Sequence, residues 1–237
     1  MSIVLISCKH DTKLDADAIV DKSIEVSGGE LIGNSTIQFA FRGKHYSAKR
    51  KNGLFTLSRT ISKDSITILD KLSNDSFERY VNREIRQIAD SMIPRYSASV
   101  NSVHYFSVLP YGLNDAAVNK TCLGLSKVKG EDYHKIKVTF NEIGGGEDFE
   151  DVFVYWIHKE TFKMDYLAYS YDEGHGKGYR FREAFNERYV EGIRFLDYNN
   201  YKPQSKNVDL IGMDNLFEED RLELLSKIEL KNIEVSF

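Results

Sequence analysis

Proline is almost missing from this sequence: 3 residues in 237. That scarcity argues against disordered, proline-rich linkers. Cysteine is nearly as rare. Cys8 and Cys122 stand far apart, so neither a disulfide framework nor a cysteine metal quartet is available. The 6 histidines, at positions 10, 45, 104, 134, 158 and 175, include no pair at metal-ligand spacing and no His-Glu-x-x-His, so neither a metal nor another cofactor is expected. An excess of positive charge is lacking too. Lys+Arg 32 against Asp+Glu 36 leaves a net charge of −4, without the basic field that phosphate backbones require, so nucleic acid is not an expected partner. After Cys8 no segment approaches the roughly 18 apolar residues of a transmembrane helix. Gly144-Gly145-Gly146 and the glycines at 174, 176 and 178 are followed by strand-like residues, so they read as hairpin turns and not as phosphate loops. The acidic run Glu147-Asp148, Glu150-Asp151 lacks the spacing of an EF-hand and reads as a solvated turn.

Aromatic residues, in contrast, are abundant: 14 Tyr and 14 Phe beside 1 Trp. With 41% hydrophobic and 29% charged residues, the chain has material for a core and favours strands. Apolar residues from Leu14 to Val26 recur at helical spacing and Gly28-Gly29 ends them, which predicts a first helix. The period then changes to two through Ile37, Phe39, Phe41, Tyr46 and Ala48, with a hairpin turn at Asn52-Gly53 and further strands around Phe55–Ile61 and Ile66–Leu72. Phe77, Tyr80, Val81, Ile85, Ile88, Ala89 and Met92 lie at helical spacing, predicting a helix over 74–92 that Pro94 ends. A short helix follows over 99–110, and Asn114-Asp115 caps a third through Val118. From about Thr121 to Tyr201 the pattern is strand after strand, and the tail Leu222–Phe237 alternates as a strand.

The first eight residues are a separate matter. Leu5-Ile6-Ser7-Cys8 is an apolar run, a small residue and a cysteine, followed at once by polar residues. It resembles a bacterial lipobox, which makes Cys8 the expected lipidation site. Seven residues precede Cys8, fewer than a charged n-region plus about 7–15 apolar residues would occupy, so 1–8 reads as a truncated signal. The alternative is a short strand holding an ordinary cysteine. On the first reading 9–13 is a tether and 14–237 a single α+β half-barrel domain.

Tyr155-Trp156-Ile157-His158-Lys159-Glu160-Thr161 with its returning strand, behind an opening helix, resembles the lipoprotein-carrier superfold of LolA and LolB. The blocks Asn101–Phe106, Leu109–Asp115, Lys135–Phe140 and Met164–Tyr169 resemble a family of Gram-negative lipoproteins whose function is unassigned. Some of its members carry a deoxyribose-phosphate aldolase label. That enzyme is a (β/α)8 barrel, and no strand–helix alternation occurs here. The resemblance implies an α+β fold: one curled antiparallel sheet, an incomplete barrel, with helices packed across its concave side. It also implies an envelope address, periplasmic or at the outer membrane.

Three constellations are candidates for function. Tyr155, Trp156, Tyr166, Tyr169, Tyr171, Tyr179 and Phe181 fall on three successive predicted strands and form either a cavity wall or a filled core. Arg180 and Arg182 share a strand face, and Arg42 and Arg59 are expected on facing strands of the first meander; such forks hold a carboxylate or phosphate head at a cavity mouth, or else face solvent. His104 with Asp165 is a possible base and orienter, or His104 is a hydrogen-bonded core residue. Together these readings describe an envelope lipoprotein, anchored to the membrane through Cys8, that binds a lipid-like molecule or acyl chain in a half-barrel cavity. The ligand-cavity set is Tyr155, Trp156, Tyr166, Tyr169, Phe181, Arg180 and Arg182. A hydrolase using His104 and Asp165, or a docking module with a filled core, are the alternatives.

Overall fold

Asp15 opens the first element: its carboxylate accepts from the Ala18 amide at 2.8 Å and caps helix α1 (Ala16–Val26). The computed structural model describes residues 15–172, 174, 176–205 and 208–237. Cys8, with the expected signal and tether, lies outside the described residues. Ile19, Val20 and Ser23 form the buried stripe of α1. Gly28 then turns left-handed at φ 85°, and a Cβ there would stand 2.6 Å from the carbonyl oxygen of Gly192, so only glycine fits. A short helix α2 (Gly29–Ile32) follows.

The first meander comprises β1 (Thr36–Phe41), β2 (Lys44–Lys51), β3 (Leu54–Lys63) and β4 (Ile66–Ser73). Asn52 and Gly53, at φ 52° and 79°, close the β2–β3 hairpin as their sequence predicts. The helix expected over 74–92 does not form. The segment extends the meander as β5 (Phe77–Val81) and β6 (Glu84–Arg86), joined by Asn82 and Arg83, both with positive φ. Two interactions favour strand over helix there. The buried Asp70 of β4 takes a two-pronged ion pair from Arg79 and another from Arg59, and the Asn82 side chain accepts from the Thr67 amide at 2.9 Å. Pro94 begins a helix instead of ending one. It lies in the first turn of α3 (Ile93–Ser107), where its missing N–H is not needed.

The second meander runs β7 (Val118–Val128), β8 (Glu131–Phe140), β9 (Val152–His158), β10 (Met164–Asp172), β11 (Lys177–Val190) and β12 (Ile193–Pro203). Turns replace the helix expected at 114–118, and β7 starts at Val118. Helix α4 (Met213–Glu218) comes next, which the sequence pattern did not signal. The alternating tail forms two strands, β13 (Leu222–Ile228) and β14 (Lys231–Ser236).

The strands form two antiparallel sheets of seven, in the orders β14-β1-β2-β3-β4-β5-β6 and β13-β12-β11-β10-β9-β8-β7. The tail links them, since β13 pairs with β12 and β14 with β1. The sheets do not close into a barrel, and the curled antiparallel α+β architecture is the one the sequence implies. Helix α3 lies between them. Its Val100 packs with Ala48 and Leu57 of the first sheet, and its Tyr105 and Phe106 rings meet Phe153 of the second at 6.3 and 6.1 Å. Helix α4 covers the opposite face of the second sheet, with Met213 in one cluster with Trp156 and Phe181.

Candidate functional site

Because α3 touches both sheets, it cannot seat flush on either along its whole length. The space left beside it is a cavity of about 1280 Å³, above the roughly 300–1,000 Å³ usual for small-molecule sites. The inward residues of β9 to β12 form its wall. Phe153 and Tyr169 are cross-strand partners with stacked rings 5.2 Å apart, and Phe106 of α3 closes against them at 6.1 and 5.5 Å. The exposed loop 141–148 contributes Glu142, Glu147 and Asp148 to the rim. Beside them, burial and then the neighbouring Asp148 push the Asp151 carboxyl up to about 6.

Within this apolar wall runs a polar row. Arg182 on β11 pairs in register with Asn200 on β12, and Asn200 with Ser226 on β13. Arg182 and Asn200 are each 7% exposed. The Arg182 guanidinium lies 3.9 Å over the Phe106 ring and donates to the Tyr169 hydroxyl at 2.9 Å. Asn200 donates to the Ser226 hydroxyl at 3.2 Å. Among the described residues, Arg182 Nε and Asn200 Oδ1 have no hydrogen-bond partner. Deeper in the same layer, the hydroxyls of Tyr105 and Tyr155 hydrogen-bond at 3.0 Å. Burial raises the pKa of both, so they stay neutral. Burial likewise pushes Tyr198 up to about 12, against the opposing pull of Arg194 and Arg182.

The seven residues expected to line one cavity fall on two faces. Tyr169, Arg180 and Arg182 line it, and Tyr155 packs in the core cluster beneath it. Trp156, Tyr166 and Phe181 point to the far side, where Phe217 of α4 stacks on Phe181 at 4.9 Å. There the Trp156 indole donates to Asp214 at 3.2 Å, and Asp214 pairs with Lys135 at 2.7 Å. Strand alternation separates Tyr155 from Trp156, as it must for adjacent residues. Tyr179 follows Phe181 to the far side, whereas the Tyr171 ring lies beneath Arg180, 5.0 Å from its guanidinium. Arg42 reaches the cavity, but Arg59 is held by Asp70.

His104 and Asp165 are not brought together as a pair. His104 is fully buried against the first sheet, with Nε2 at 3.0 Å from the Ser58 carbonyl and its ring edge-on to Phe39 and Tyr46. Burial lowers its pKa to about 4, so the ring is neutral near pH 7. Asp165 accepts from Arg194 at 2.8 Å and from Tyr133 at 3.3 Å. Cys122 is a half-buried free thiol. No group of three or more potential metal ligands converges among the described residues.

Phe106, Phe153, Asn200 and Ser226 were not singled out in the sequence. A signal for Asn200 existed: strand alternation puts it on the same face as Leu196 and Tyr198.

Residues 1–230 match the model of DUF6503, described as a family of unknown function. No curated protein matches the chain. Among solved structures, the chain is similar to a DUF1329 family protein from Desulfovibrio piger, with TM-score 0.52, 12% identity and 92% of each chain covered. It is also similar to a LolA superfamily protein from Nitrosomonas europaea, with TM-score 0.49, 10% identity, and 95% of this chain and 93% of the other covered. At 12% identity the first likeness is one of fold.

Proposed function

The chain belongs to the DUF6503 family, and from that premise we propose that it is a cell-envelope protein that binds an apolar or amphipathic, lipid-like ligand between its two sheets. The observation that carries this reading is the cavity of about 1280 Å³ walled by Phe106, Phe153 and Tyr169. An aromatic-walled space of this size offers apolar contact to an acyl chain at low ordering cost. The separate engagements of His104 and Asp165 leave the hydrolase reading without a joined acid–base pair. In the same proposal Cys8 carries the lipid that holds the protein to a membrane.

The test is uptake of a neutral fluorescent probe, N-phenyl-1-naphthylamine, by protein stripped of lipid. We expect saturable binding that falls at least about tenfold in Ala98→Trp, a substitution on α3 that fills the cavity. Circular dichroism identifies a variant that has kept its fold. An absence of uptake in the unaltered protein, or equal uptake by a folded Ala98→Trp variant, overturns the reading. The mass of the N-terminal peptide from native membranes tests the anchor: an unmodified Cys8 rules it out.

A further inference from the structure

Three arginines are buried among the described residues: Arg59, Arg182 and Arg194. Two have carboxylates. Arg59 pairs with Asp70 at 2.7 Å, and Arg194 with Asp165 at 2.8 Å and Glu187 at 2.5 Å. Arg182 has none among the described residues, although it is as deeply buried. A guanidinium removed from water without a counter-charge is costly, and the Phe106 ring and one phenol offset only part of that cost. The same protein supplies acids to the other two, so the missing acid at Arg182 marks a place for a charge that comes from elsewhere.

The surroundings define what it is. Arg182 Nε–H is buried without a partner, and Ser226, which lines the same cavity, can donate its hydroxyl hydrogen while accepting from Asn200. Asn200 Oδ1 remains free for a water or a ligand hydroxyl. Beyond this row the wall is Phe106, Phe153 and Tyr169, which suits a hydrocarbon. A buried guanidinium without an acid among the described residues, donors for oxygen and an apolar wall fit a single negative head on a long chain.

We propose that the cavity selects a long-chain carboxylate, its head held by Arg182 with Asn200 and Ser226 and its chain lying along the aromatic wall. This inference rests on the cavity reading above. A charge-assisted hydrogen bond contributes about 1.5–3 kcal/mol, which corresponds to roughly ten- to hundredfold in affinity.

The experiment compares palmitate with hexadecanol, which share a chain length and differ in the head. Both are titrated into lipid-free protein. The unaltered protein is expected to bind palmitate at least about tenfold more tightly than hexadecanol. Arg182→Met lowers palmitate binding at least about tenfold more than it lowers hexadecanol binding, so the advantage disappears. Asn200→Asp, which places a carboxylate beside the guanidinium, also removes the advantage and serves if Arg182→Met does not fold. Equal binding of the two lipids by the unaltered protein overturns the head-group assignment alone, as does a palmitate advantage that survives both substitutions. Binding of neither lipid overturns the cavity reading, and this proposal with it.

Discussion

On strands β9 to β12, Trp156, Tyr166, Phe181 and Tyr201 point to one face of the second sheet, and Phe153, Tyr169, Arg182 and Asn200 to the other. Both sets are rich in aromatics, yet the first is packed solid and the second borders a hollow. The covering helix makes the difference. The six-residue α4 packs Met213, Leu216 and Phe217 into the aromatic surface of this sheet. The fifteen-residue α3 is held on its other flank by Val100 and His104 in the first sheet, and it stands off from part of the second. Polar groups follow the same division. Under α4 the buried Asp214 has Lys135 and the Trp156 indole, whereas on the hollow side the buried Arg182 has no acid among the described residues. Aromatic richness therefore does not distinguish a core from a pocket; the freedom of the cover to close does.

The largest expected effect tests the solid face. Trp156→Ala should cost about 4 kcal/mol, because the site under α4 has little room to collapse. Phe106→Ala, on the hollow side, should cost only about 2 kcal/mol, since its ring already borders open space. Urea unfolding of both variants, followed by circular dichroism, measures the contrast, and equal losses would break it.

A somewhat smaller effect belongs to the flank of α3 that rests on the first sheet. His104 titrates at about 4 in the folded protein against an ordinary value of 6.5. The unfolded chain therefore takes up the proton first as the pH falls. The contribution of the neutral ring is complete above pH 6.5 and is lost progressively down to about pH 4, by roughly 3 kcal/mol. Unfolding midpoints at pH 7 and pH 4 should differ accordingly, and the difference should shrink in His104→Phe. Trp156 is the single tryptophan and lies under α4, so its emission reports the solid face during the same titration.

The smallest effect sharpens the comparison at the polar row. Tyr169→Phe removes the hydrogen bond from Arg182 and should cost about 1 kcal/mol. Arg182→Met should leave stability within about 1 kcal/mol of the unaltered protein or raise it, because it removes a buried charge that has no protein counter-ion. A large loss in that variant would show that Arg182 supports the fold as strongly as Asp214 does.

Much of the architecture was legible because it is local. The Asp15 cap, the Asn52-Gly53 turn and the period-two strands of both meanders depend on a few neighbouring residues. The segment 74–92 was not legible in this way. Its apolar spacing suits a helix, but Arg79 is drawn to Asp70 and its guanidinium stacks 3.8 Å over Tyr96 of α3. Those partners outweigh local preference. The candidate site was half legible: Tyr169, Arg180 and Arg182 reach the cavity, but Trp156, Tyr166 and Phe181 do not, because adjacent strand residues alternate faces.

The sequence by itself determined an antiparallel α+β chain rich in aromatic strands, without a disulfide framework and without an excess of basic charge. Only the tertiary structure decided which aromatic face is filled and which is hollow, and which buried arginine lacks an acid. Those outcomes depend on where α3, α4 and the tail strands come to rest. Helix placement and ion pairing are set by contacts between segments distant in the chain, and no local pattern of residues encodes them.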